Sequence, residues 1–238
     1  LTFGKLLNGG QLCLSPDYVL VPGELEEQLI AQVIREAQSM YPNITENEDY
    51  TGIFNERHFA RLQNYIDDAV AKGAKLTIVG ADKTRASEGN RRMPLHILQN
   101  VNEDMQVMHE EIFGPILPIM TYADITEVPN KIEPRRNPLA MYYFGKDKSE
   151  QEYLLNHVQS GGVCINDITL HYVQEDLPFG GVGASGMGAY HGPEGFRNMS
   201  HARAIYSQTM IDVLPIIGAR PPFGEKFRKN ISKILGAI

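Results

Sequence analysis

A thiol on a short glycine-containing turn is the feature of this sequence best suited to chemistry. The run Gly9-Gly10-Gln11-Leu12-Cys13 stands between an apolar approach and a strand-like run at residues 18–21. Backbone amides that are free in such a turn can stabilise a thiolate, and also the oxyanion formed when the thiolate attacks a carbonyl. A buried, inert cysteine is the commoner outcome for a single cysteine. The assignment of Cys13 as a nucleophile therefore needs support from the rest of the chain.

Two later segments supply that support. The run Glu110-Glu111-Ile112-Phe113-Gly114-Pro115 places two carboxylates beside an aromatic ring, and residues 178–188 are rich in glycine. By itself the acidic pair is typical of solvated residues ahead of a strand. In their order and separations, the three segments resemble the catalytic half of the aldehyde dehydrogenase superfamily. The last segment is similar to the class 3 branch, which includes the coniferyl aldehyde dehydrogenases, and the resemblance covers roughly residues 1–206.

The resemblance implies a reaction and gives three residues a part in it. Cys13 would attack an aldehyde, and the thiohemiacetal would pass hydride to NAD or NADP, leaving a thioester that water hydrolyses. Glu111 would accept hydrogen bonds from the nicotinamide ribose, and Phe113 would pack against the nicotinamide side of the cofactor, so that both position the ring. The branch implies an apolar or aromatic aldehyde, such as coniferyl aldehyde.

Four further residues are expected to support this site. Gln11 belongs to the Gly-Gln-x-Cys motif, and Gly181 and Gly183 allow a loop to approach the catalytic turn closely. Asn166 ends a predicted strand, where it either orients the catalytic loop or caps the turn that follows. Residues 181–186 also match the dinucleotide pattern G-x-G-x-x-G. A polar run broken by proline precedes them where an apolar strand is required, so we reject that assignment.

The resemblance also implies parts that this chain does not contain. The nucleotide-binding domain, the second oxyanion donor and the glutamate that activates the deacylating water would belong to sequence ahead of Leu1. The chain starts without a methionine and shortly before Cys13. We therefore expect a fragment that lacks its N-terminal nucleotide-binding domain, binds NAD or NADP poorly and is inactive by itself.

Composition and charge exclude several classes of protein. The chain has 238 residues, of which 42% are hydrophobic and 21% charged, and its net charge is −7. This acidic balance argues against a nucleic-acid partner, and no apolar run is long enough to span a membrane. Two cysteines do not make a disulfide framework, which favours a reducing, cytoplasmic location. Cys164 lies in an apolar run and is expected to be buried, and the histidines show no metal-ligand spacing.

Strands and helices alternate along the predicted catalytic domain, residues 1–206. Apolar spacing predicts helices over residues 23–40, 55–72, 127–133 and 148–159. Strands are predicted at residues 75–79, 94–98, 114–122, 139–144 and 162–166. Nearly continuous apolar strands are typical of a sheet covered on both sides. The predicted fold class is α/β, a mostly parallel open sheet with helices on both faces.

Residues 207–238 are predicted to form a C-terminal arm with an amphipathic helix. One helical face is apolar and the other faces carry basic residues; the apolar positions are Phe223, Phe227, Ile231, Ile234 and Leu235. Such a helix lies on a membrane surface or, more commonly, packs on its own protein or a partner subunit. We favour the second alternative, so the expected assembly is a homodimer or a dimer-based oligomer.

Two other functions stay open from the sequence. Cys13 could serve a hydrolase or acyl-transferase that needs no cofactor, or the chain could be a non-catalytic oligomerisation segment. Ester cleavage without NAD would favour the first alternative. A Cys13 thiol that reacts no faster than a free thiol would favour the second.

Overall fold

Six strands form two sheets in the part of the chain that the computed structural model describes, residues 1–80, 91–135 and 137–236. The larger sheet has the spatial order β1-β4-β3-β2, and β5 pairs with β6 in a separate sheet. The strands are β1 (Val19–Pro22), β2 (Lys75–Val79), β3 (Leu95–Gln99), β4 (Ile116–Tyr122), β5 (Ala140–Tyr143) and β6 (Gly162–Ile165). The pairs β1–β4, β3–β4 and β5–β6 are parallel, whereas β2 runs antiparallel to β3. The predicted mostly parallel α/β fold is confirmed.

Two long helices flank the larger sheet. Helix α2 (Glu26–Met40) follows β1 after a 3-10 turn at Gly23–Leu25, and acidic residues in its first turn suit the positive end of the helix dipole. Helix α3 (Glu56–Ala71) begins at Asn55, whose side chain accepts a hydrogen bond from the His58 N–H at 2.8 Å. Both helices agree with the predicted positions.

Alternate residues of the central strands enter two separate apolar clusters. Ile97 and Leu117 pack in a cluster with the apolar side chains of α2. Leu98 and Ile116 pack in another cluster with those of α3. Because successive side chains of a strand point to opposite sides of the sheet, α2 and α3 lie on opposite faces, as predicted.

The two predicted functional segments enter this sheet side by side. Strands β1 and β4 are parallel neighbours, with Val19 opposite Ile119. Cys13 lies shortly before β1, and Phe113 lies shortly before β4. Both segments therefore meet at the amino edge of the parallel strands, although ligands of open α/β sheets more often bind at the carboxyl edge.

Several predicted boundaries shift for local reasons. The strand predicted from residue 114 begins at Ile116, because Phe113 has a left-handed φ of 51° and the chain is still turning there. The helix predicted over 127–133 is a 3-10 turn, a five-residue α-helix and a second 3-10 turn. Pro134 lies in that last turn and has no N–H to continue an α-helix. The remaining α-helices are α1 (Thr2–Leu6), α4 (Val128–Ile132), α5 (Lys148–His157), α6 (Gly192–Asn198), α7 (Val213–Ile216) and α8 (Glu225–Leu235).

The chain divides into two compact units, Leu1–Met199 and Ser200–Ile238. In the second unit the Asn230 side-chain amide donates to the Ile217 carbonyl at 2.8 Å, which joins α8 to the end of α7. The apolar face of α8 is exposed, with Leu235 65% accessible. None of the described helices is both long and apolar enough to cross a membrane. A domain boundary at residue 206 stays a prediction.

Candidate active site

The turn ahead of the predicted nucleophile is built from residues with a left-handed backbone. Asn8, Gly9 and Gly10 have φ angles of 52°, 63° and 73°, a region that glycine adopts freely and asparagine tolerates better than most residues. A Cβ atom at Gly10 would lie 2.5 Å from the Gly114 carbonyl oxygen and 3.0 Å from that of Lys5. Glycine at this position therefore lets the turn press its backbone against the segment that enters β4.

Cys13 occupies the second position of a β-turn that spans Leu12–Ser15. The N–H of the fourth residue donates to the carbonyl of the first at 2.9 Å and closes the turn. The Tyr142 hydroxyl donates to the Leu14 carbonyl at 2.8 Å. Cys13 itself is exposed, so the backbone around it is held by hydrogen bonds while the residue stays accessible to solvent and reagents.

The side chain of Gln11 ties this turn to the segment ahead of α3. Gln11 is only 7% exposed, and its amide nitrogen donates to the Asn8 carbonyl at 2.9 Å and to the Gly52 carbonyl at 3.2 Å. Its side-chain oxygen accepts from the Phe54 N–H at 3.0 Å. All three bonds go to backbone groups, so Gln11 fixes the shape of the turn.

Helix α3 holds the segment that carries Glu111 and Phe113. The Arg61 guanidinium donates to the Glu111 carbonyl at 3.3 Å and also to the Ile112 carbonyl. His58 Nε2 lies 2.7 Å from the Phe113 carbonyl. Three consecutive carbonyls are thus bound by two side chains of one helix, which fixes the backbone on both sides of the left-handed Phe113.

The hydrogen bonds of His58 determine its tautomer. Arg61 Nε donates to His58 Nδ1 at 3.1 Å, so Nδ1 is the acceptor. The 2.7 Å contact with the Phe113 carbonyl needs a proton on Nε2 and outweighs the longer 3.3 Å approach of Arg61 Nη2 to the same nitrogen. Desolvation lowers the pKa of His58, and the charge of Arg61 lowers it further, while the bond to the Phe113 carbonyl opposes both effects. A neutral imidazole therefore holds this turn at neutral pH.

One buried cation and two carboxylates lie behind the turn. Lys5 is 1% exposed, and burial lowers its pKa to about 8 against the opposing charges of Asp17 and Glu111. Desolvation raises the pKa of Asp17, opposed most strongly by Lys5. Desolvation and then the charge of Asp17 raise the pKa of Glu111, which Arg61 and Lys5 oppose. The three groups form one electrostatic set, in which removal of any member changes the other two.

An aromatic wall, which we define as Tyr142, His171, Tyr172, Phe179 and Tyr190, lies near Cys13. Phe179 is its centre, with ring centroids 5.5 Å from Tyr190, 4.9 Å from Tyr172 and 6.1 Å from His171. Desolvation raises the pKa of Tyr142 and of Tyr190, and charge on Cys13 contributes to both shifts. The Tyr142 hydroxyl is bound to the carbonyl of Leu14, the residue after Cys13, so the wall offers a surface suited to flat apolar groups beside this turn.

Three predicted supporting residues have their nearest contacts elsewhere. The Asn166 side chain donates to the Gly145 carbonyl at 2.9 Å and accepts from the Gly145 N–H at 2.8 Å, so it is engaged at the ends of β5 and β6. A Cβ at Gly181 would meet the Ser185 carbonyl, and one at Gly183 would meet the Asn137 side chain. The roles of these three residues toward the catalytic turn stay predictions.

The second cysteine differs from expectation. Cys164 lies in β6 as predicted but is half-buried, because this two-stranded sheet leaves its strands partly exposed. The prediction that Cys164 is buried is wrong. Among the residues that the structure describes, no group of three His, Cys, Asp or Glu side chains is arranged to hold a metal ion.

The residues that sequence reasoning missed act mainly through backbone partners. Arg61 and His58 bind carbonyls, Asp17 accepts from the Ile112 N–H at 3.0 Å, and Tyr142 binds the Leu14 carbonyl. Carbonyls and N–H groups occur at nearly every residue, so no residue type signals such a partner in the sequence. The one local signal is the three-residue spacing of His58 and Arg61 along a predicted helix, which places both on one side.

Fold and site together define a class: an α/β domain that carries an exposed thiol on a turn joined to an acidic and aromatic segment. A family model described as "Aldehyde dehydrogenase family" matches residues 1–205. The chain belongs to the aldehyde dehydrogenase family.

Individual relatives cover almost all of this chain. It is 45% identical to a probable coniferyl aldehyde dehydrogenase of Pseudomonas aeruginosa, over 98% of the chain and 48% of the relative. It is 43% identical to a probable coniferyl aldehyde dehydrogenase of Caulobacter vibrioides, over 96% of the chain and 47% of the relative. The solved, substrate-bound structure of Staphylococcus aureus AldH superposes with a TM-score of 0.79 at 35% identity, covering 98% of this chain and 49% of that one. The chain thus spans about half the length of the curated relatives it matches.

Proposed function

We propose that the protein oxidises an apolar or aromatic aldehyde to the carboxylic acid with NAD or NADP, using Cys13 as the nucleophile. The observation that carries this proposal is the exposed Cys13 on a turn whose backbone is pressed against the Glu111–Phe113 segment through Gly10 and Gly114. Such a contact keeps the nucleophile at a constant position relative to the group that positions the cofactor.

The reaction proceeds on Cys13 in two stages. The thiolate attacks the aldehyde carbon and forms a C–S bond, and the carbonyl oxygen becomes an oxyanion near the backbone of the turn. Loss of hydride from the thiohemiacetal carbon gives a thioester. Water then breaks the C–S bond, which releases the acid and regenerates the thiol.

A nicotinamide cofactor, when bound, supplies the hydride acceptor. The groups present on this chain fit one end of it. Glu111 remains exposed enough to accept hydrogen bonds from a ribose diol, and the half-buried Phe113 ring offers an apolar face. Both depend on the α3 contacts of Arg61 and His58.

Because these residues suit only one end of the cofactor, we expect the isolated chain to bind NAD or NADP poorly. Micromolar affinity in calorimetric titration would contradict this expectation.

The aromatic wall and the relatives support an apolar or aromatic substrate. Flat or conjugated aldehydes gain contact with rings such as Phe179 and Tyr190 that a short polar aldehyde lacks. One relative, 36% identical over 95% of the chain, carries the name 4,4'-diaponeurosporen-aldehyde dehydrogenase, and others are named for coniferyl aldehyde. We expect kcat/KM for coniferyl aldehyde to exceed that for acetaldehyde at least about tenfold. The reverse preference would refute the substrate assignment.

Replacement of Cys13 tests the function directly. In the full natural protein, Cys13→Ala should abolish aldehyde oxidation and any esterase activity together, because both pass through one acyl-sulfur bond. Cys13→Ser should show little more activity than Cys13→Ala, since a hydroxyl without an adjacent base is a weak nucleophile. Cys164→Ala is the matched control and should retain activity. Substantial aldehyde oxidation by Cys13→Ala would refute the proposal. If the wild type cleaves esters and needs no cofactor for any of its substrates, a hydrolase or acyl-transferase is favoured.

We also propose a homodimer or dimer-based oligomer in a reducing, cytoplasmic location. The apolar face of α8 is exposed, and an exposed apolar face of this kind is typical of an interaction surface. Counted from the sequence, the segment 200–238 carries a net charge of +4 and residues 1–199 carry −11. Opposite charges favour docking of this segment on a second copy. Sedimentation as a monomer at micromolar concentration would contradict the assembly.

A further inference from the structure

Tyr142 in β5 reaches across the fold to the turn that carries Cys13. Its hydroxyl donates to the Leu14 carbonyl at 2.8 Å, a contact between residues 128 positions apart in the chain. The ring is partly buried and makes an edge contact with His171 at 6.1 Å between centroids. The ring that carries this hydroxyl therefore packs against His171, another member of the aromatic wall.

The bond acts on one particular peptide unit. The carbonyl of Leu14 and the N–H of Ser15 belong to the same planar peptide. Tyr142 holds the oxygen end of this peptide, and the Leu12 carbonyl holds the hydrogen end at 2.9 Å. With both ends bound, the peptide that follows Leu14 cannot rotate without breaking a hydrogen bond.

The environment of the Tyr142 hydroxyl favours its protonated form. Burial raises the pKa of Tyr142 to about 12, and the nearby sulfurs of Cys164 and Cys13 add to the shift. The phenol therefore stays protonated at neutral pH and keeps its proton for the Leu14 carbonyl.

We propose that Tyr142 is a positioning residue for Cys13, because its hydroxyl fixes the peptide plane after Leu14 and so the direction of the thiol. The inference rests on the proposed function for its consequence in aldehyde oxidation, but not for its effect on thiol reactivity. Without this bond only the Ser15 N–H still holds the peptide, so the Leu14 carbonyl turns more readily, and its negative end can approach the sulfur and disfavour the thiolate. Attack by Cys13 then becomes slower while the binding groups of the site stay intact.

Tyr143, the next residue of β5, provides a matched control. Its hydroxyl is also hydrogen-bonded, to the Glu150 carboxylate at 2.7 Å, and the residue is 8% exposed. Because neighbouring residues of a strand face opposite sides, Tyr143→Phe removes an equivalent hydroxyl from the side of β5 away from Cys13. A general loss of stability should affect both variants alike.

The experiment compares Tyr142→Phe and Tyr143→Phe in the full natural protein. The first readout is the rate constant for alkylation of Cys13 by iodoacetamide, followed by peptide mass spectrometry, which needs neither cofactor nor aldehyde. We expect Tyr142→Phe to slow alkylation about fivefold and to lower kcat for aldehyde oxidation about tenfold, with KM within about twofold of wild type. Tyr143→Phe should match wild type within about twofold in both assays.

A donor-retaining variant completes the test. Incorporation of 4-aminophenylalanine at position 142 keeps an N–H at the end of the ring and should restore the alkylation rate, including in the event that Tyr142→Phe does not fold. Equal alkylation rates in Tyr142→Phe and Tyr143→Phe, or no recovery with the amino side chain, would overturn the proposal. If wild-type protein oxidises no aldehyde, the proposed function fails, but the alkylation comparison still decides the role of Tyr142.

Discussion

The Asp17 carboxylate accepts a hydrogen bond from the Ile112 N–H at 3.0 Å and so joins the segment that follows the Cys13 turn to the segment that carries Glu111. Asp17 directly precedes the strand-like run of β1, and Ile112 lies ahead of β4, so the bond spans the two neighbouring parallel strands at their amino edge. Together with the contact of Gly10 on Gly114, it makes the two segments one unit.

Loss of the Asp17 carboxylate should therefore destabilise the fold. Asp17→Ala leaves the Ile112 N–H unpaired and removes a counter-charge from the buried Lys5, and we expect the free energy of unfolding to fall by about 2–4 kcal/mol. Asp17→Asn keeps an acceptor oxygen and should lose less. Urea unfolding measures both values; equal losses in the two variants would mean that the hydrogen bond contributes nothing.

Gly10→Ala should be much more harmful than an alanine at another left-handed glycine. Gly10 combines φ +73° with a carbonyl 2.5 Å from the Cβ position, whereas Gly73 has φ +98° and no atom within 4 Å of that position. Gly73→Ala should cost about 1 kcal/mol, the backbone term alone. Gly10→Ala should cost at least about 3 kcal/mol because the turn must also move. Similar urea midpoints for the two variants would refute the close approach.

The buried Lys5 makes stability depend on pH in a defined window. Burial lowers the pKa of Lys5 in the folded state to about 8, from the ordinary lysine value of 10.5. Between these values the unfolded chain binds a proton that the folded chain does not, so the free energy of unfolding rises with pH, at most about 1.4 kcal/mol per pH unit.

Comparison with Lys5→Met isolates this contribution. The stability of wild type relative to Lys5→Met should increase from pH 7 to about pH 9.5, below the range in which tyrosines ionise. Lys148→Met, at an exposed position of α5, should run parallel to wild type. A wild-type advantage that shrinks as the pH rises would show that folding raises the pKa of Lys5 and does not lower it.

Glu111→Gln should separate the two halves of the reaction. In the full natural protein, acylation of Cys13 by an activated ester should persist, because it needs only the thiol. Aldehyde oxidation should fall by about 10- to 100-fold through misplacement of the hydride acceptor. Glu110→Gln is the neighbouring control, since its carboxylate accepts from the Tyr65 hydroxyl at 3.0 Å. Parallel loss of ester and aldehyde activities in Glu111→Gln would argue against a cofactor role.

The two cysteines should differ in reactivity. Cys13 is exposed and Cys164 is half-buried in β6, so iodoacetamide near neutral pH should label Cys13 much faster. In denaturant the two should react at similar rates, which controls for intrinsic differences. Faster labelling of Cys164 in the folded protein would contradict the described arrangement of the turn.

Local periodicity determined most of the secondary structure. The apolar spacing of α2 and α3 and the strand Lys75–Val79 depend on neighbours in the chain, so sequence alone located them. The prediction of Cys13 and Gln11 as site residues has a similar basis, since glycines around a thiol form a short recognisable pattern. The antiparallel direction of β2 and the two-sheet division have no such local signature, because they depend on which strands pair.

Tertiary structure alone decided what holds the site. Arg61 binds carbonyls about 50 residues away, Asp17 binds an N–H 95 residues away and Tyr142 binds a carbonyl 128 residues away. Each partner is a backbone group that every position offers, so residue types carry no information about which one is used. Only the folding of β1, β4 and β5 beside α3 selects these partners, and with them the geometry around Cys13.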